Sequence, residues 1–310
     1  MAPLGAAMLV QYSPMKSELE LTATDGVQIP ISWFPEDAGG EGAPASAVGA
    51  DEEQTCRASL LLLPALGIRA SLYDKLGAQL AQAGIATCVM EQRGHGRSPL
   101  SPERGDDFGL DDILEYDVPV LLDWLEAQRP GVPLVLAGHS LGGHLATIAC
   151  GRHPDRVSAV LHLACAFPHF RDYPLRTAAR VLLLTTIVPP LTRLRGHYPG
   201  KRFGFGGDEA RTLMTQWSQW ARSGKFGVGR VRHPEEMTAR FRGPVLSLAF
   251  ERDDMVSPQA IGRARSPFSG ARVTRRVLGA AEQGEFLGHP AWAKQPDGVV
   301  AAASAWVEHE

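Results

Sequence analysis

The chain has 310 residues, 44% of them hydrophobic, which is typical of one α/β domain that carries an insertion. Its 31 Lys and Arg against 34 Asp and Glu give a formal charge of −3, which argues against nucleic acid or a membrane as a partner. The four cysteines are widely spaced and no apolar run reaches the ~18 residues of a membrane span. We therefore predict neither a disulfide framework nor a membrane anchor, and expect a cytoplasmic location.

The predicted elements begin after residues 1–16, which are interpreted as an N-terminal extension. Residues 17–34 alternate between polar and apolar on both sides of Asp25-Gly26, a pattern that predicts a β-hairpin. Residues 36–58 are rich in Gly, Ala and acidic residues without periodicity, so a flexible excursion is expected there.

From Ser59 onward, short apolar runs alternate with amphipathic stretches. The runs SLLLLP, IATCVME, VPLVLAG, VSAVLHLAC, PVLSLAF and ARVTRRVL are predicted strands. Fully apolar strands separated by helices indicate an α/β fold with a mostly parallel, twisted sheet covered by helices on both faces. We assign residues 17–165 and 243–310 to this core.

Residues 166–242 interrupt the strand and helix rhythm with many Arg, Pro, Gly and aromatic residues. The segment is too long for a loop in a compact domain, so a helical insertion over the sheet edge is predicted. We call residues 166–242 the cap insertion. Its basic residues Arg193, Arg195, Lys201 and Arg202 are interpreted as a solvated face, with attraction of an anionic substrate group as the alternative.

The stretch Gly138-His139-Ser140-Leu141-Gly142 follows one predicted strand directly and precedes a predicted helix. G-x-S-x-G in this position is the sharp turn that exposes a nucleophilic serine, and its glycines give the backbone room. Ser140 is therefore the predicted nucleophile. The alternative is a Gly-Ser turn that only caps the helix.

A serine nucleophile needs a base and an acid that orients the base. His289 lies between the last predicted strand and the last predicted helix, where a loop returns to the strand ends. Two aspartates follow the strand PVLSLAF. We predict Asp254 as the acid and keep Asp253 as the alternative; either one could instead cap the helix that begins near Ser257.

The stretches Gly138–Gly142 and Glu91-Gln-Arg-Gly-His-Gly-Arg-Ser98, together with the late Asp254 and His289, resemble the α/β-hydrolase superfamily. Leu63-Pro-Ala-Leu-Gly67 and residues 190–202 are similar to a bacterial group of α/β hydrolases of unassigned substrate. The resemblance implies an oxyanion hole formed by the backbone N–H groups of Leu66 and Leu141. Pro-Ala stands where many relatives have His-Gly, but backbone amides keep their donors whatever the side chain.

These features predict a serine hydrolase that cleaves an ester or thioester of a small or medium acyl substrate through an acyl-serine. An acyltransferase or cyclase that uses the same acyl-serine is the alternative, and a non-catalytic ligand-binding protein is a more remote one. His139, Trp217 and Trp220 are predicted to contact the substrate. No cofactor and no metal site is predicted, and the sequence leaves the oligomeric state open.

Overall fold

The computed structural model describes residues 16–36 and 56–310. The predicted extension, apart from Lys16, and residues 37–55 of the predicted excursion lie outside this range.

An eight-stranded sheet forms the centre of the molecule, in the order β1-β2-β4-β3-β5-β6-β9-β10. The strands are β1 Ser17–Thr22, β2 Gln28–Phe34, β3 Ala58–Leu63, β4 Ile85–Met90, β5 Leu134–His139, β6 Ala159–Leu163, β9 Val245–Phe250 and β10 Val273–Leu278. The opening hairpin β1-β2 pairs antiparallel, both within itself and with β4, whereas the other neighbours pair parallel. The predicted α/β-hydrolase fold, mostly parallel and opened by a hairpin, is confirmed.

Helices cover both faces of the sheet. The α-helices are α1 Asp74–Gln82, α2 Leu110–Asp112, α3 Val118–Gln128, α4 Leu141–Arg152, α5 Leu175–Arg195, α6 Gly200–Phe203, α7 Arg211–Ser223, α8 Pro234–Thr238, α9 Pro258–Arg265, α10 Ala280–Gln283 and α11 Asp297–His309. On one face, apolar residues of α3 and α4 join a core cluster with alternate strand residues. On the other face, α1 and α11 do the same. This arrangement explains the continuous apolar strands, since both sides of each strand are buried.

The cap insertion lies between β6 and β9 and contains α5 to α8. It also contains a short antiparallel hairpin, β7 His197–Pro199 with β8 Asp208–Ala210. The sequence predicted a helical insertion, and this hairpin departs from that prediction. Glycine-rich turns around this hairpin explain the difference, because Gly196, Gly204 and Gly206 all adopt positive φ, which ends helices and permits tight turns.

Prolines lie at the start of two of these helices. Residues 291–309 are divided into a 3₁₀ turn, Ala291–Lys294, and α11, with Pro296, which lacks a backbone N–H, just before α11. Before α3 the chain passes through a π-helical turn, Ile113–Asp117. Pro119 lies in the first turn of α3, where its missing N–H is tolerated.

The register of the parallel strands brings their carboxyl ends together. Leu63 at the end of β3 pairs with Gly138, and His139 at the end of β5 pairs with Leu163. The residues that follow these strands therefore gather at one edge of the sheet, where open α/β sheets bind ligands.

Candidate active site

Ser140 lies between β5 and α4 with φ 52° and ψ −112°, a conformation that costs a non-glycine residue about 1–3 kcal/mol. Its N–H donates to the carbonyl of Leu163 at 2.9 Å, which secures the turn to β6. A Cβ at Gly138 would overlap the Gly142 backbone, and one at Gly142 would overlap the carbonyl of Leu63. The glycines predicted for this turn are therefore required by close backbone approach, and the hydroxyl of Ser140 stands at the carboxyl edge of the sheet.

His289 reaches Ser140 from the loop between α10 and α11. Its Nε2 lies 2.9 Å from the Ser140 hydroxyl oxygen, and its Nδ1 lies 2.8 Å from a carboxylate oxygen of Asp253. The carboxylate only accepts, so Nδ1–H donates to Asp253 and Nε2 accepts from the Ser140 hydroxyl. The three side chains form a continuous hydrogen-bonded chain of the kind that activates a serine nucleophile.

The preference for Asp254 as the acid is wrong: the structure places Asp253 on His289, while Asp254 is exposed. The turn after β9 decides the choice. The N–H of Asp253 donates to the carbonyl of Phe250, and one Asp253 carboxylate oxygen accepts the Met255 N–H at 3.0 Å. This Asx-type turn holds the Asp253 side chain inward and leaves the next residue facing solvent.

The predicted oxyanion loop, residues 64–67, lies against the first turn of α4, since a Cβ at Gly142 would also approach the Pro64 carbonyl. Among the hydrogen bonds of the described residues, none uses the N–H of Leu66 or of Leu141. Leu141 is the first residue of α4, so its N–H belongs to the positive end of the helix dipole. Both amides therefore have no hydrogen-bond acceptor among the described residues.

His139 joins the oxyanion loop to the loop that carries His289. Its Nδ1 lies 2.8 Å from the Tyr73 hydroxyl, and its Nε2 lies 3.0 Å from the His289 carbonyl oxygen. The Tyr73 hydroxyl also accepts the Ala65 N–H at 3.1 Å. A carbonyl only accepts, so the 3.0 Å contact places the proton on Nε2, in preference to the longer 3.4 Å contact from the Trp292 indole N–H, and Tyr73 donates to Nδ1. One continuous chain thus runs from Ala65 through Tyr73 and His139 to the backbone of His289.

Burial lowers the pKa of His139 far below its usual range, and the neighbouring His289 lowers it further. The hydrogen bond to the His289 carbonyl acts in the opposite direction but has a smaller effect. His139 therefore stays neutral, as this donor and acceptor pattern requires. The ring is fully buried and both its nitrogens are engaged inside the protein, so the predicted substrate contact of His139 is wrong. Its position is that of a support beneath the site.

Tyr73→Phe is expected to lower the free energy of unfolding by about 1–3 kcal/mol, because it leaves the Ala65 N–H and His139 Nδ1 buried without a partner. Urea denaturation measures this loss. Tyr198→Phe is the matched control, since the Tyr198 hydroxyl is buried without any hydrogen-bond partner among the described residues. Equal losses in the two variants would contradict a specific role for the Tyr73 hydroxyl.

The two predicted tryptophan contacts differ in exposure. Trp220 is fully buried, and its indole N–H donates to the carbonyls of Phe226 and Gly227, so a substrate cannot reach it in this structure. It packs inside the cap insertion, and the prediction of a substrate contact for it is wrong. Trp217 remains 7% exposed and packs its ring 5.1 Å from that of Phe205. Trp217 stays the predicted aromatic contact to the substrate.

The cap insertion meets the oxyanion loop through glycines. A Cβ at Gly67 would overlap the backbone of Gly206 and Gly207, and Gly206 packs on the side chain of Leu66. Beside this contact, His95 of the core lies 3.1 Å from the buried carboxylate of Glu209 in β8. This pair is a polar tie between the cap insertion and the core, next to the predicted oxyanion donor.

The His95–Glu209 pair should make the stability of the protein depend on pH. Burial opposes the charge of His95, but the charge of and the hydrogen bond to Glu209, with the nearby Glu91, raise its pKa above the ordinary value. A raised pKa in the folded state means that the pair stabilises the protein fully below about pH 6.5 and loses this effect as the pH rises through the folded pKa. We expect the difference in melting temperature between wild type and Glu209→Gln to shrink over that interval. A difference that is independent of pH would contradict the assignment.

Two site residues escaped the sequence reasoning. Tyr73 lies 66 residues from His139 along the chain, and no local pattern marks its hydroxyl as part of the site. Asp253 was visible only as an alternative, because two adjacent aspartates satisfy the same spacing. Within residues 16–36 and 56–310, no group of three or more His, Cys, Asp or Glu side chains is arranged to hold a metal ion.

Comparison with known proteins agrees with this fold. A family model described as serine aminopeptidase, S33, matches residues 54–264. The chain is 38% identical over 103 residues to the Probable esterase PIR7A of Oryza sativa subsp. indica, a match that covers 33% of this chain and 37% of that protein. The chain thus spans about a third of the length of the curated relatives it matches.

Solved structures match over nearly the whole chain. DcsB in complex with its substrate analogue gives a TM-score of 0.62 at 18% identity and covers 95% of this chain and 99% of that chain. The thioesterase domain from the curacin biosynthetic pathway gives a TM-score of 0.55 at 14% identity and covers 96% of this chain and 100% of that chain. At such identities the likeness establishes the fold.

Proposed function

Since the chain belongs to the S33 serine aminopeptidase family of α/β hydrolases, we propose that it is a serine hydrolase that cleaves an ester or thioester of a small or medium acyl substrate. The hydrogen-bonded chain from Ser140 through His289 to Asp253 carries this proposal. A buried carboxylate, a histidine and a serine at a strained turn have no structural need to be joined in this order, whereas acyl transfer requires it.

In the first half of the reaction, the Ser140 oxygen attacks the acyl carbonyl carbon while its proton moves to Nε2 of His289. Asp253 stabilises the imidazolium that results, without taking the proton itself. The tetrahedral intermediate then collapses: the bond to the leaving alcohol or thiol breaks, and His289 returns the proton to that group. The acyl group remains on Ser140 as an ester.

In the second half, water replaces the leaving group. His289 takes a proton from the water, and the hydroxide equivalent attacks the acyl-serine carbonyl. Collapse of the second intermediate releases the carboxylic acid, and the proton passes from His289 back to the oxygen of Ser140. The enzyme ends as it began, and no cofactor is consumed.

The N–H groups of Leu66 and Leu141 are proposed to donate to the oxyanion in both intermediates. Leu141 directly follows the nucleophile at the start of α4, and Leu66 lies in the loop after β3, which approaches the first turn of α4 at Pro64. Donors that stand in place before reaction stabilise developing charge without reorganisation, and each is worth about 10²–10³-fold in rate. The contact of Gly67 with Gly206–Gly207 makes the loop geometry depend on where the cap insertion sits.

The test is to label the intact chain with a fluorophosphonate, which reacts only with an activated serine. Digestion and peptide mapping then identify the labelled residue. A single adduct on Ser140 that is lost in His289→Ala supports the proposal. No adduct on a folded protein would oppose it and favour a ligand-binding role. Turnover of acyl esters and thioesters of graded length, with and without an added alcohol or amine, then separates hydrolysis from acyl transfer by the product formed.

A further inference from the structure

Charge is divided unevenly between the cap insertion and the rest of the chain. Residues 166–242 contain 14 Lys and Arg against 5 Asp and Glu, whereas the remaining residues contain 17 against 29. The overall charge of −3 therefore conceals a strongly basic insertion on an acidic core. A partner that meets the cap insertion alone therefore faces a positive surface, although the whole chain carries a small negative charge.

Helix α5 of the cap insertion has one buried side and one exposed side. Thr185, Val188 and Thr192 face inward and are buried, as expected for a helix packed on a neighbour. On the opposite side, large apolar residues face solvent at helical spacing. They are Leu183 at 60% exposure, Ile187 at 41% and Leu194 at 85%, and Leu175 at 86% begins the helix.

Arginines surround this exposed stripe. α5 contains four arginines and no acidic residue. Arg176 and Arg180 precede Leu183 on the same side of the helix, by the three- and four-residue spacing that aligns side chains. Arg193 and Arg195 flank Leu194, and all four arginines are exposed. The helix thus presents exposed apolar side chains with positive charge at both ends.

We propose that this face of α5 binds an anionic lipid surface. Leucine and isoleucine side chains enter the boundary between headgroups and acyl chains, while the arginine stems lie along it and their guanidinium groups contact lipid phosphates. A lipid interface accepts a convex apolar stripe directly, whereas a protein partner would need a matching groove. The positive charge around the stripe complements anionic headgroups.

The binding proposed is peripheral. No helix in residues 16–36 and 56–310 is long and apolar enough to cross a bilayer. α5 instead lies parallel to the surface, and the cap insertion it belongs to contacts the oxyanion loop through Gly206 and Gly207. The inference stands apart from the proposed activity, because it concerns a surface that contains none of the triad.

The test is co-sedimentation of the full-length chain carrying Ser140→Ala, so that binding is measured without turnover, with two kinds of vesicle. Phosphatidylcholine vesicles that contain phosphatidylglycerol should bind the protein, and high salt should weaken the binding; pure phosphatidylcholine vesicles should bind it poorly. Leu183→Glu and Leu194→Glu should each weaken binding at least about tenfold, and Arg176→Glu with Arg180→Glu should do the same.

Matched controls lie on β10, the edge strand of the sheet, outside α5. Val277 is 64% exposed and Arg275 is also exposed, so Val277→Glu and Arg275→Glu should bind as the parent does. Failure of the parent to sediment with anionic vesicles would overturn the proposal, as would equal effects of stripe and control variants. A dimer in solution that Leu194→Glu dissociates, without vesicle binding, would overturn it in favour of a second copy of the chain.

Discussion

Ser140→Ala is expected to lower kcat for an activated ester by roughly 10⁵–10⁶-fold, because no other group can form the acyl intermediate. The remaining turnover would come from the oxyanion donors and from substrate binding. The fluorophosphonate adduct should disappear in parallel. KM should change much less than kcat, since the lost interaction acts in the transition state rather than in the bound ground state.

The loss of activity in Ser140→Ala should not come from unfolding. Alanine has no hydroxyl but accepts the turn geometry no worse than serine, whose φ of 52° is already strained, so the fold should persist. Ser266→Ala serves as the control, because Ser266 is exposed at the end of α9 and outside the site. Retention of wild-type turnover in Ser140→Ala would end the acyl-serine account, whatever the fold.

Asp253→Asn is expected to reduce kcat by about 10³–10⁴-fold, whereas Asp254→Asn should leave it near the wild-type value. Asparagine at 253 keeps the size of the side chain but removes the charge that stabilises the imidazolium of His289. Its amide group can also present an N–H to His289 and favour the wrong tautomer, with the proton on Nε2, which cannot then accept from Ser140.

The adjacent aspartate is a close internal control for this prediction. Both variants remove one negative charge at neighbouring positions, so any effect of net charge on substrate approach is shared. Only Asp253 contacts the imidazole, at 2.8 Å, and only its side chain is buried. Steady-state kinetics with the same ester measures both variants. Loss of activity in Asp254→Asn with retention in Asp253→Asn would reverse the assignment.

The support beneath the site has a different expected signature. Removing the Tyr73 hydroxyl affects stability through two unpaired buried groups, while the triad itself keeps all its atoms. The Tyr198 control separates this loss from simple removal of a buried hydroxyl. Compared with the Ser140 and Asp253 variants, Tyr73→Phe distinguishes residues proposed to react or to orient the base from residues that hold the loops in place.

Much of the architecture was predictable because its causes are local. Alternation on both sides of Asp25-Gly26 indicates the hairpin, and continuous apolar runs indicate strands covered on both faces. The order of glycine, serine and glycine between a strand and a helix indicates the turn, because only small residues fit where β5 meets α4. His289 was identifiable as well, since parallel strands must end at one edge and a loop there can reach the serine.

Other features depend on the tertiary structure. The choice between Asp253 and Asp254 follows from one turn whose backbone bonds point the first side chain inward and the second outward. The supporting role of His139 requires Tyr73, which folding brings to it from a distant helical turn. The burial of Trp220 depends on the packing of the whole cap insertion. Its aromatic character alone therefore did not indicate whether it could contact a substrate.

The sequence by itself therefore determined the fold, the turn that bears Ser140 and His289 as the proposed base, because local periodicity and strand order decide where strand ends meet. Only the tertiary structure decided which aspartate faces that base, which buried groups support it and which side of α5 stays exposed. Those outcomes depend on the direction of individual side chains, and that direction is settled by contacts between residues far apart in the chain.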